Sequence, residues 1–319
     1  MGAICTRQCK LPPAFNPTQM KHILSLLTLL TLLTLSATTS CTPTPTSAQQ
    51  ADSTTIRIGV LPTVESIPLF YADSVGLFDS LGLDVRLVTF EAAMDADTAM
   101  AGGSIDAILS DLVKATAHQQ NGDSIHIIVS SDLHLSLVTS RNARILRPHS
   151  LKEKVIGITR HSAVDFFADQ ILRRAQLQPI DLNRPQINAI RLRTIMVDQN
   201  QYDGAILPEP FATHAVANGA RRLDTSDSHQ LHGLLCLYTP DSTYRHSAQR
   251  YDLLRQAWDE AVTRLNADST STHLGYLPHT LTPPDSLFRP TPFTPHTTPS
   301  DTILQLVTDW LKERELIKQ

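Results

Sequence analysis

The sequence is poor in cysteine and carries no concentrated positive charge. Its 319 residues include four cysteines, Cys5, Cys9, Cys41 and Cys236. Lysine and arginine number 27 against 31 aspartates and glutamates, which gives a formal net charge of -4. Without a run of lysine or arginine, nothing in the sequence indicates a nucleic-acid-binding surface. Because 41% of the residues are hydrophobic and 18% are charged, wholesale disorder is excluded, and the length suits two lobes.

Acidic residues are missing from the start of the chain, which follows a different pattern from the rest. The first of them is Asp52, and the basic Lys21 stands just before an almost unbroken Leu/Thr stretch from Ile23 to Leu35. A basic start, an apolar core and small residues before a cleavage site are typical of a secretory signal. The apolar stretch is well short of the ~20 residues that span a bilayer. We therefore predict a signal or leader over residues 1–40 and a mature protein in the periplasm or cell envelope.

The start of translation is expected at Met20, because signal sequences place their basic residue directly before the apolar run. Residues 1–19 would then be upstream sequence that is not translated. An unusually long leader that begins at Met1 is the alternative.

A candidate modification site follows the apolar run at Cys41. Small residues precede this cysteine, and a Pro/Thr/Ser-rich segment follows it. The pattern resembles a bacterial lipoprotein signal, in which the cysteine becomes the lipid-bearing first residue, although Thr38 stands where that signal usually has leucine. The resemblance implies lipidation of Cys41 and a membrane-anchored flexible tether over residues 41–54. Ordinary cleavage nearby, with Cys41 removed or unmodified, is the alternative.

Little in the remaining sequence suggests catalysis or metal binding. If Cys41 carries lipid, Cys236 is the sole thiol of the mature chain, so no internal disulfide can form. Cys236 stands in an apolar run, which predicts a small buried hydrophobe. The thirteen histidines are scattered, and the closest pair, His229 and His232, lacks a third ligand at the usual spacing. With no G-x-S-x-G motif and no phosphate-binding loop either, we predict no metal, no cofactor and no catalytic residue.

Short apolar strands alternate with amphipathic helical stretches from Ile56 onward. Alternation of this length predicts βαβ units and an α/β fold. The pattern restarts with a strand at Val155, which indicates a second lobe. We expect a first lobe over residues 55–139, a second over 140–232 and a return segment over 233–319 that packs on the first lobe.

The second half of the chain carries three further predictions. A strand is expected over Ile187–Leu192, followed by a helix near 194–200. The last two helices are expected to bury Trp258 and Trp310 on their apolar faces. Residues 269–299 contain seven prolines, which predicts a loop lying over one lobe.

Polar residues stand where the predicted strands end. In open α/β sheets, ligands bind beyond the carboxyl ends of strands, where helix N-termini present backbone N–H groups. The candidate ligand-binding residues are Pro62, Thr63, Ser66, Ser110, Asp111, Ser130, Ser131, His161, Ser162 and Glu209. Helix capping alone would also explain serines at such positions, and a glutamate there would complement a helix dipole.

The order of these segments resembles the periplasmic substrate-binding proteins of ABC transporters. The segments that carry the resemblance are Ile56-Arg57-Ile58-Gly59-Val60, Val75-Gly76-Leu77-Phe78, Gly102 to Ala107, Val155 to Ile158 and Asp203 to Thr213. The branch resembled comprises the aliphatic-sulfonate, taurine, nitrate and thiamine-pyrimidine binders.

This resemblance implies a two-lobed type II periplasmic-binding fold, in which each lobe is a mixed, mostly parallel sheet flanked by helices and joined by a hinge. It also implies a monomer that captures a small polar or anionic solute by hinge closure and delivers it to an inner-membrane permease. Glu209 would border the cleft and suit an amine or hydroxyl group of the ligand. Two alternatives stay open: an enzyme on the same fold, similar to pyrimidine synthases or menaquinone-pathway enzymes, and a surface lipoprotein that has lost transport.

Overall fold

The computed structural model describes residues 55–268, 272–278, 281–284 and 286–318. The predicted signal, the alternative starts, Cys41 and nearly all of the tether lie outside these residues. Within them, no helix combines the length and the apolar character that crossing a membrane requires.

Nine strands and ten α-helices make up the described part of the chain. The strands are β1 (Thr55–Val60), β2 (Asp84–Thr89), β3 (Ala107–Asp111), β4 (Ile125–Ser131), β5 (Leu135–Thr139), β6 (Ile156–Gly157), β7 (Gly204–Pro208), β8 (Arg221–Thr225) and β9 (Leu235–Pro240). The helices are α1 (Ile67–Ser74), α2 (Leu77–Ser80), α3 (Ala93–Ala101), α4 (Leu112–Gln120), α5 (Ala163–Arg174), α6 (Ile190–Asp198), α7 (Phe211–Ala217), α8 (Asp241–His246), α9 (Ala248–Ala267) and α10 (Asp301–Glu313).

The strands form two sheets, one in each lobe. The first sheet has five strands in the order β2-β1-β3-β9-β4, and the second has four in the order β6-β7-β5-β8. In the first sheet β1 pairs in parallel with β2 and β3, whereas β9 runs antiparallel to β3 and β4. In the second sheet β6 and β7 are parallel, and β5 runs antiparallel to both β7 and β8. The mixed α/β fold predicted from the sequence is therefore confirmed.

The chain passes twice between the two sheets, at residues 132–134 and 226–234. We call these two crossovers the hinge segments. Strand β5, which the sequence analysis placed at the end of the first lobe, hydrogen-bonds within the second sheet. The first crossover thus precedes β5. Because all five of its residues are buried, the apolar content of β5 suits either sheet equally well.

The last two long helices pack on helices that follow strands of the first sheet: α9 contacts α1, and α10 contacts α4. Helix α9 buries Trp258, and α10 buries Trp310; each side chain is 1% exposed. Ser300 is the N-cap of α10, and its hydroxyl accepts a hydrogen bond from the backbone N–H of Ile303. The indole of Trp310 meets the ring of Phe166 edge-on, so α10 also contacts α5 of the second lobe.

The strand predicted over Ile187–Leu192 is not present, because α6 begins at Ile190. The buried residues of this helix are Ile190, Arg193, Thr194 and Val197. Their spacing is that of one helical face, and it outweighs the local β-branched composition.

A buried ionic cluster joins α5 to its surroundings. Arg184 Nη1 donates to Asp165 Oδ1 at 3.0 Å and to Asp169 Oδ1 at 2.7 Å. The second oxygen of Asp169 accepts from Trp310 Nε1 at 2.8 Å, and Arg314 lies 3.7 Å from it. Because both carboxylates are almost fully buried, each depends on these partners for compensation of its charge.

We expect Arg184→Met to lower the free energy of unfolding by about 3 kcal/mol, because it leaves two buried carboxylates with only Arg314 nearby. Urea denaturation monitored by circular dichroism measures the change. Arg173→Met is the matched control: Arg173 pairs with Glu313 at the surface, so its removal should cost less than about 1 kcal/mol. Equal losses in the two variants would contradict a structural role for the cluster.

Candidate functional site

A cavity of about 80 Å³ lies between the two lobes, at the ends of the strands. Its polar lining from the first lobe consists of Thr63, Glu65, Ser66, Ser110 and Asp111. The polar lining from the second lobe consists of Thr159, Ser162, Asn188 and Arg193. Leucine side chains, among them Leu61, Leu109 and Leu133, complete the walls. We call this cavity the interlobe cleft.

The structure brings half of the predicted ligand-binding residues together in the cleft. The five that line it are Thr63, Ser66, Ser110, Asp111 and Ser162. Ser131 and Glu209 line a second cavity on the hinge side. Pro62, Ser130 and His161 line neither of these two cavities. Contact with a ligand stays a prediction for all ten residues.

The serines of the cleft differ in how their hydroxyl groups are used. Ser162 caps α5 by accepting from Val164 N, and its hydroxyl donates to Thr159 O at 2.8 Å. Ser66 donates to Leu61 O at 2.7 Å and so stabilises the turn that follows β1. The hydroxyl of Ser110 is buried beside the hydroxyl of Tyr238 and has no partner at full hydrogen-bond geometry among the described residues. Capping therefore explains Ser162 but not Ser110.

Asp111 connects the two lobes through one carboxylate oxygen. This oxygen, Oδ1, accepts from Lys114 N at 3.0 Å and thereby caps α4. It also accepts from Ala163 N at 3.1 Å, at the first residue of α5 in the second lobe. Burial raises the pKa of Asp111 to about 6, which outweighs the stabilisation of its charge by Lys114 and by the two backbone N–H groups. The cleft is thus bridged by a carboxylate that titrates near neutral pH.

Arg193 is a cleft residue that the sequence analysis did not identify. It is 1% exposed, and its Nη1 donates to Thr159 Oγ1 and to Ile187 O, both at 2.6 Å. Its Nε has no hydrogen-bond partner, and no carboxylate forms a salt bridge with it, within the part of the chain that the structure describes. Burial lowers the pKa of Arg193 to about 10, so the guanidinium remains charged at neutral pH.

Local structure explains how a long cationic side chain fits inside the second lobe. A Cβ atom added at Gly157 of β6 would lie 3.2 Å from the ring of Tyr202 and 3.6 Å from Cδ of Arg193. The glycine therefore leaves room for both side chains. One signal in the sequence could have identified the arginine: it stands on the apolar face of α6, between Ile190 and Val197, where a charge must be compensated.

The thiol of Cys236 and the carboxylate of Glu209 have structural roles in the described part of the chain. Cys236 is fully buried on β9, and burial raises the pKa of its thiol well above the usual range, so it has no thiolate character. Glu209, which the resemblance placed at the cleft, pairs with Arg222 Nη2 at 2.6 Å and accepts from Thr213 N at 3.1 Å. Among the described residues, no three His, Cys, Asp or Glu side chains are grouped closely enough to hold a metal ion.

Comparisons with known proteins agree with this architecture. Residues 63–208 match the family model described as NMT1/THI5 like. The fold is similar to the periplasmic aliphatic sulphonate binding protein SsuA from Escherichia coli, at 17% identity and a TM-score of 0.66, with 83% of this chain and 94% of that chain covered. It is also similar to the alkanesulfonate-binding protein SsuA from Xanthomonas axonopodis pv. citri bound to MOPS, at 17% identity and a TM-score of 0.69, with 83% and 95% covered.

One similar structure belongs to an enzyme. The desulfurization enzyme DSZB shares 12% identity at a TM-score of 0.62, with 83% of this chain and 93% of that chain covered. By sequence alone, no curated protein matches the chain. The periplasmic-binding-protein fold implied by the sequence is confirmed.

We expect Asp111→Asn to remove a pH dependence of stability. A folded-state pKa of about 6 against an ordinary 3.8 means that the folded protein holds this proton more tightly than the unfolded chain does. The free energy of unfolding should therefore fall by about 2 kcal/mol as the pH rises from about 4 to about 6. Urea denaturation between pH 4 and pH 7 should show this fall in the original chain and a flatter profile in Asp111→Asn.

Asp73→Asn provides the control, because Asp73 is exposed on α1. Its stability profile should run parallel to that of the original chain. Parallel profiles for Asp111→Asn as well would show that the buried carboxylate does not titrate in this range.

Proposed function

We propose that this chain is the solute-binding lipoprotein of an ABC importer. The match of residues 63–208 to the NMT1/THI5 like family model and the two-lobed periplasmic-binding fold support this proposal. The protein captures a small anionic organic solute between its lobes and delivers it to a permease in the membrane. The observation that carries the proposal is the buried guanidinium of Arg193 in the interlobe cleft, without a carboxylate partner among the described residues.

An uncompensated charge inside a protein is costly, so a buried arginine normally has an acidic partner. Here the existing acceptors of Arg193 are neutral oxygens, on Thr159, Ile187 and Asn188. An anionic head group that enters the cleft would supply both the missing charge and an acceptor for Nε. Charge-assisted hydrogen bonds of this kind are short and roughly twice as strong as neutral ones.

The remaining polar groups of the cleft favour a head group with several oxygens. Ser110 offers a hydroxyl without a partner at full hydrogen-bond geometry in the described part of the chain, and Thr63 lies on the same wall. Leu61, Leu109 and Leu133 suit a short aliphatic portion. A monoanion is favoured over a dianion because Asp111 faces the same space. A small organic sulfonate satisfies all of these conditions, and a structural neighbour is an alkanesulfonate-binding protein bound to MOPS.

Hinge closure follows from the distribution of these groups. The hydroxyl groups of Thr63 and Ser110 belong to the first lobe, whereas Arg193 belongs to the second. A solute that contacts both sets gains interactions only when the lobes approach, so it shifts the population toward the closed form. The contact between Asp111 and Ala163 N and the hydrogen bond from Val64 N to Glu209 O already hold the lobes together.

Arg193→Met should weaken the binding of a small sulfonate by about tenfold or more, because it removes the only guanidinium of the cleft lining. The ligand is first found by the increase in melting temperature across a panel of sulfonates, nitrate, aminopyrimidines and amino-acid-like compounds. Isothermal titration calorimetry then compares the variants. Arg264→Met is the control, because Arg264 is exposed on α9 and should not affect binding.

Arg193→Lys separates charge from geometry. Lysine retains a positive charge but lacks the planar fork, so its affinity should fall between those of the arginine and methionine proteins. A flat melting response to the whole panel, or unchanged affinity in Arg193→Met, would refute the proposed anion site.

Catalysis on the same fold is the second candidate function, since one structural neighbour is the desulfurization enzyme DSZB. The observation that favours it is Asp111, a buried cleft carboxylate whose pKa of about 6 would suit a general acid or base. Incubation of the purified protein with the solute found above, followed by mass spectrometry, tests this candidate. Recovery of unchanged solute supports binding, whereas turnover that is lost in Asp111→Asn supports an enzyme.

Membrane attachment through Cys41 belongs to the same proposal. A Pro/Thr/Ser-rich tether after this residue would let the two lobes reach the permease. We expect Cys41→Ala to leave the folded part intact and to release the protein from membranes, because a lipid chain would supply the attachment. Fractionation of expressing cells measures this, with circular dichroism as the test of folding. Membrane association that persists in Cys41→Ala would refute lipidation at this residue.

A further inference from the structure

A second cavity, of about 290 Å³, lies on the hinge side of the interlobe cleft. Both hinge crossovers contribute to it, through Asp132 and His134 from the first and Asp227 from the second. Glu65 and the side chains of Leu135 and Leu235 separate this hinge-side cavity from the cleft, because they line both. Nothing in the proposed solute site uses this space.

Two residues that line the hinge-side cavity each carry a buried side-chain atom with no hydrogen-bond partner among the described residues. One is Oε2 of Glu65, a side chain that is 5% exposed; the other oxygen accepts from His134 N at 3.3 Å. The second is the indole Nε1 of Trp258, a side chain that is 1% exposed. Buried polar groups are nearly always hydrogen-bonded, so an acceptor and a donor left open on two residues that line one cavity indicate a missing partner.

The charged residues that line the cavity indicate whether the missing partner is a cation or an anion. Four carboxylates line it, those of Glu65, Asp132, Glu209 and Asp227, against two guanidiniums, those of Arg222 and Arg289. Most of these charges are already engaged in hydrogen bonds or ion pairs. Glu209 pairs with Arg222, Asp227 with His134, and Asp132 accepts from Gly233 N and Thr294 Oγ1.

Within the described residues, Glu65 is the lining carboxylate that forms no ion pair, whereas Asp132 lies 3.6 Å from His232 Nδ1. Arg289 donates to the backbone carbonyls of Ser286 and Phe288. Burial raises the pKa of Glu65, against the opposing influence of its own backbone N–H, of His134 and of the Thr63 hydroxyl, so the ionised carboxylate is unfavourable where it lies. A cation beside the Glu65 carboxylate would stabilise its ionised form.

The apolar walls fit an organic cation better than a bare metal ion. Trp258, Phe288 and Phe293 all line the cavity, and aromatic rings attract ammonium groups through their faces. A metal ion would have no use for the indole N–H of Trp258, which requires an acceptor on the ligand.

We propose that the hinge-side cavity binds a small hydroxylated amine, whose ammonium group contacts Glu65 and whose hydroxyl oxygen accepts from Trp258 Nε1. The site is separate from the anion site at Arg193. Because it contacts both crossovers, its occupancy changes the energy of the hinge, and the amine is an effector of solute capture rather than the solute.

The test uses ethanolamine as the probe and the two tryptophans as reporters. The chain has only two tryptophans, Trp258 and Trp310. The indole N–H of Trp310 donates to Asp169 in the core, so it serves as an internal control. In ¹⁵N–¹H correlation spectra of the mature protein, millimolar ethanolamine should shift the Trp258 indole signal saturably and leave that of Trp310 in place.

Two chemical controls separate the interactions. Ethylamine lacks the hydroxyl and ethylene glycol lacks the ammonium group, so each should bind more weakly than ethanolamine. Glu65→Gln should weaken ethanolamine binding by about tenfold, because a neutral amide replaces the buried carboxylate. Its melting temperature shows whether the variant is folded.

Trp258→Phe is the second variant and is measured by calorimetry. It should reduce the affinity for ethanolamine more than that for ethylamine, since only ethanolamine uses the indole N–H. Arg193→Met should leave ethanolamine binding unchanged, whether or not it abolishes sulfonate binding, so failure at one site does not imply failure at the other.

Three results would overturn the proposal. The first is a Trp258 signal that does not move with ethanolamine, which would mean that water alone fills the cavity. The second is equal affinity in folded Glu65→Gln. The third is loss of ethanolamine binding in Arg193→Met, which would place the amine in the interlobe cleft.

Discussion

The other features of the structure depend on one constraint, the path of the chain between its two sheets. Within the described residues, the chain crosses from one sheet to the other only twice. Because β4 leads into β5 of the second sheet and β8 leads back into β9 of the first, the carboxyl ends of strands from both lobes face one space. Helices α4 and α5 then direct their N-termini toward each other, and one carboxylate oxygen of Asp111 accepts from both. The cleft is a consequence of this chain path.

The compensation of buried charge differs between the structural cluster around Arg184 and the two proposed binding sites. In the cluster around Arg184, two buried carboxylates have cationic partners and an indole donor, and the cluster joins α5 to α10. In contrast, Arg193 and Glu65 are as deeply buried and have no oppositely charged partner in contact among the described residues. Both line cavities. The physical rule is the same in the two cases: an interior charge needs compensation, and where the chain does not supply it a ligand can.

The proline-rich segment also has a defined place. Predicted as a loop over one lobe, its described part lies against the first crossover and the strand before it. Thr294 Oγ1 donates to Asp132, and Thr297 N donates to Ser130 O. Ser131 Oγ donates to Thr294 O at 2.8 Å. Groups of this irregular segment thereby hydrogen-bond Asp132, the backbone of Ser130 and the hydroxyl of Ser131.

The α/β class, the helix cap at Ser162 and the burial of Trp258 follow from the sequence, because they depend on local periodicity and on capping. The sequence pattern misplaced the strand at Ile187, where helical spacing prevailed, and it left β5 with the wrong sheet. That Arg193 and Asp111 line one cleft, and that Glu65 forms no ion pair among the described residues, is visible in the folded structure alone. Such facts depend on which distant side chains meet in a low-dielectric interior, and a linear pattern does not contain that information.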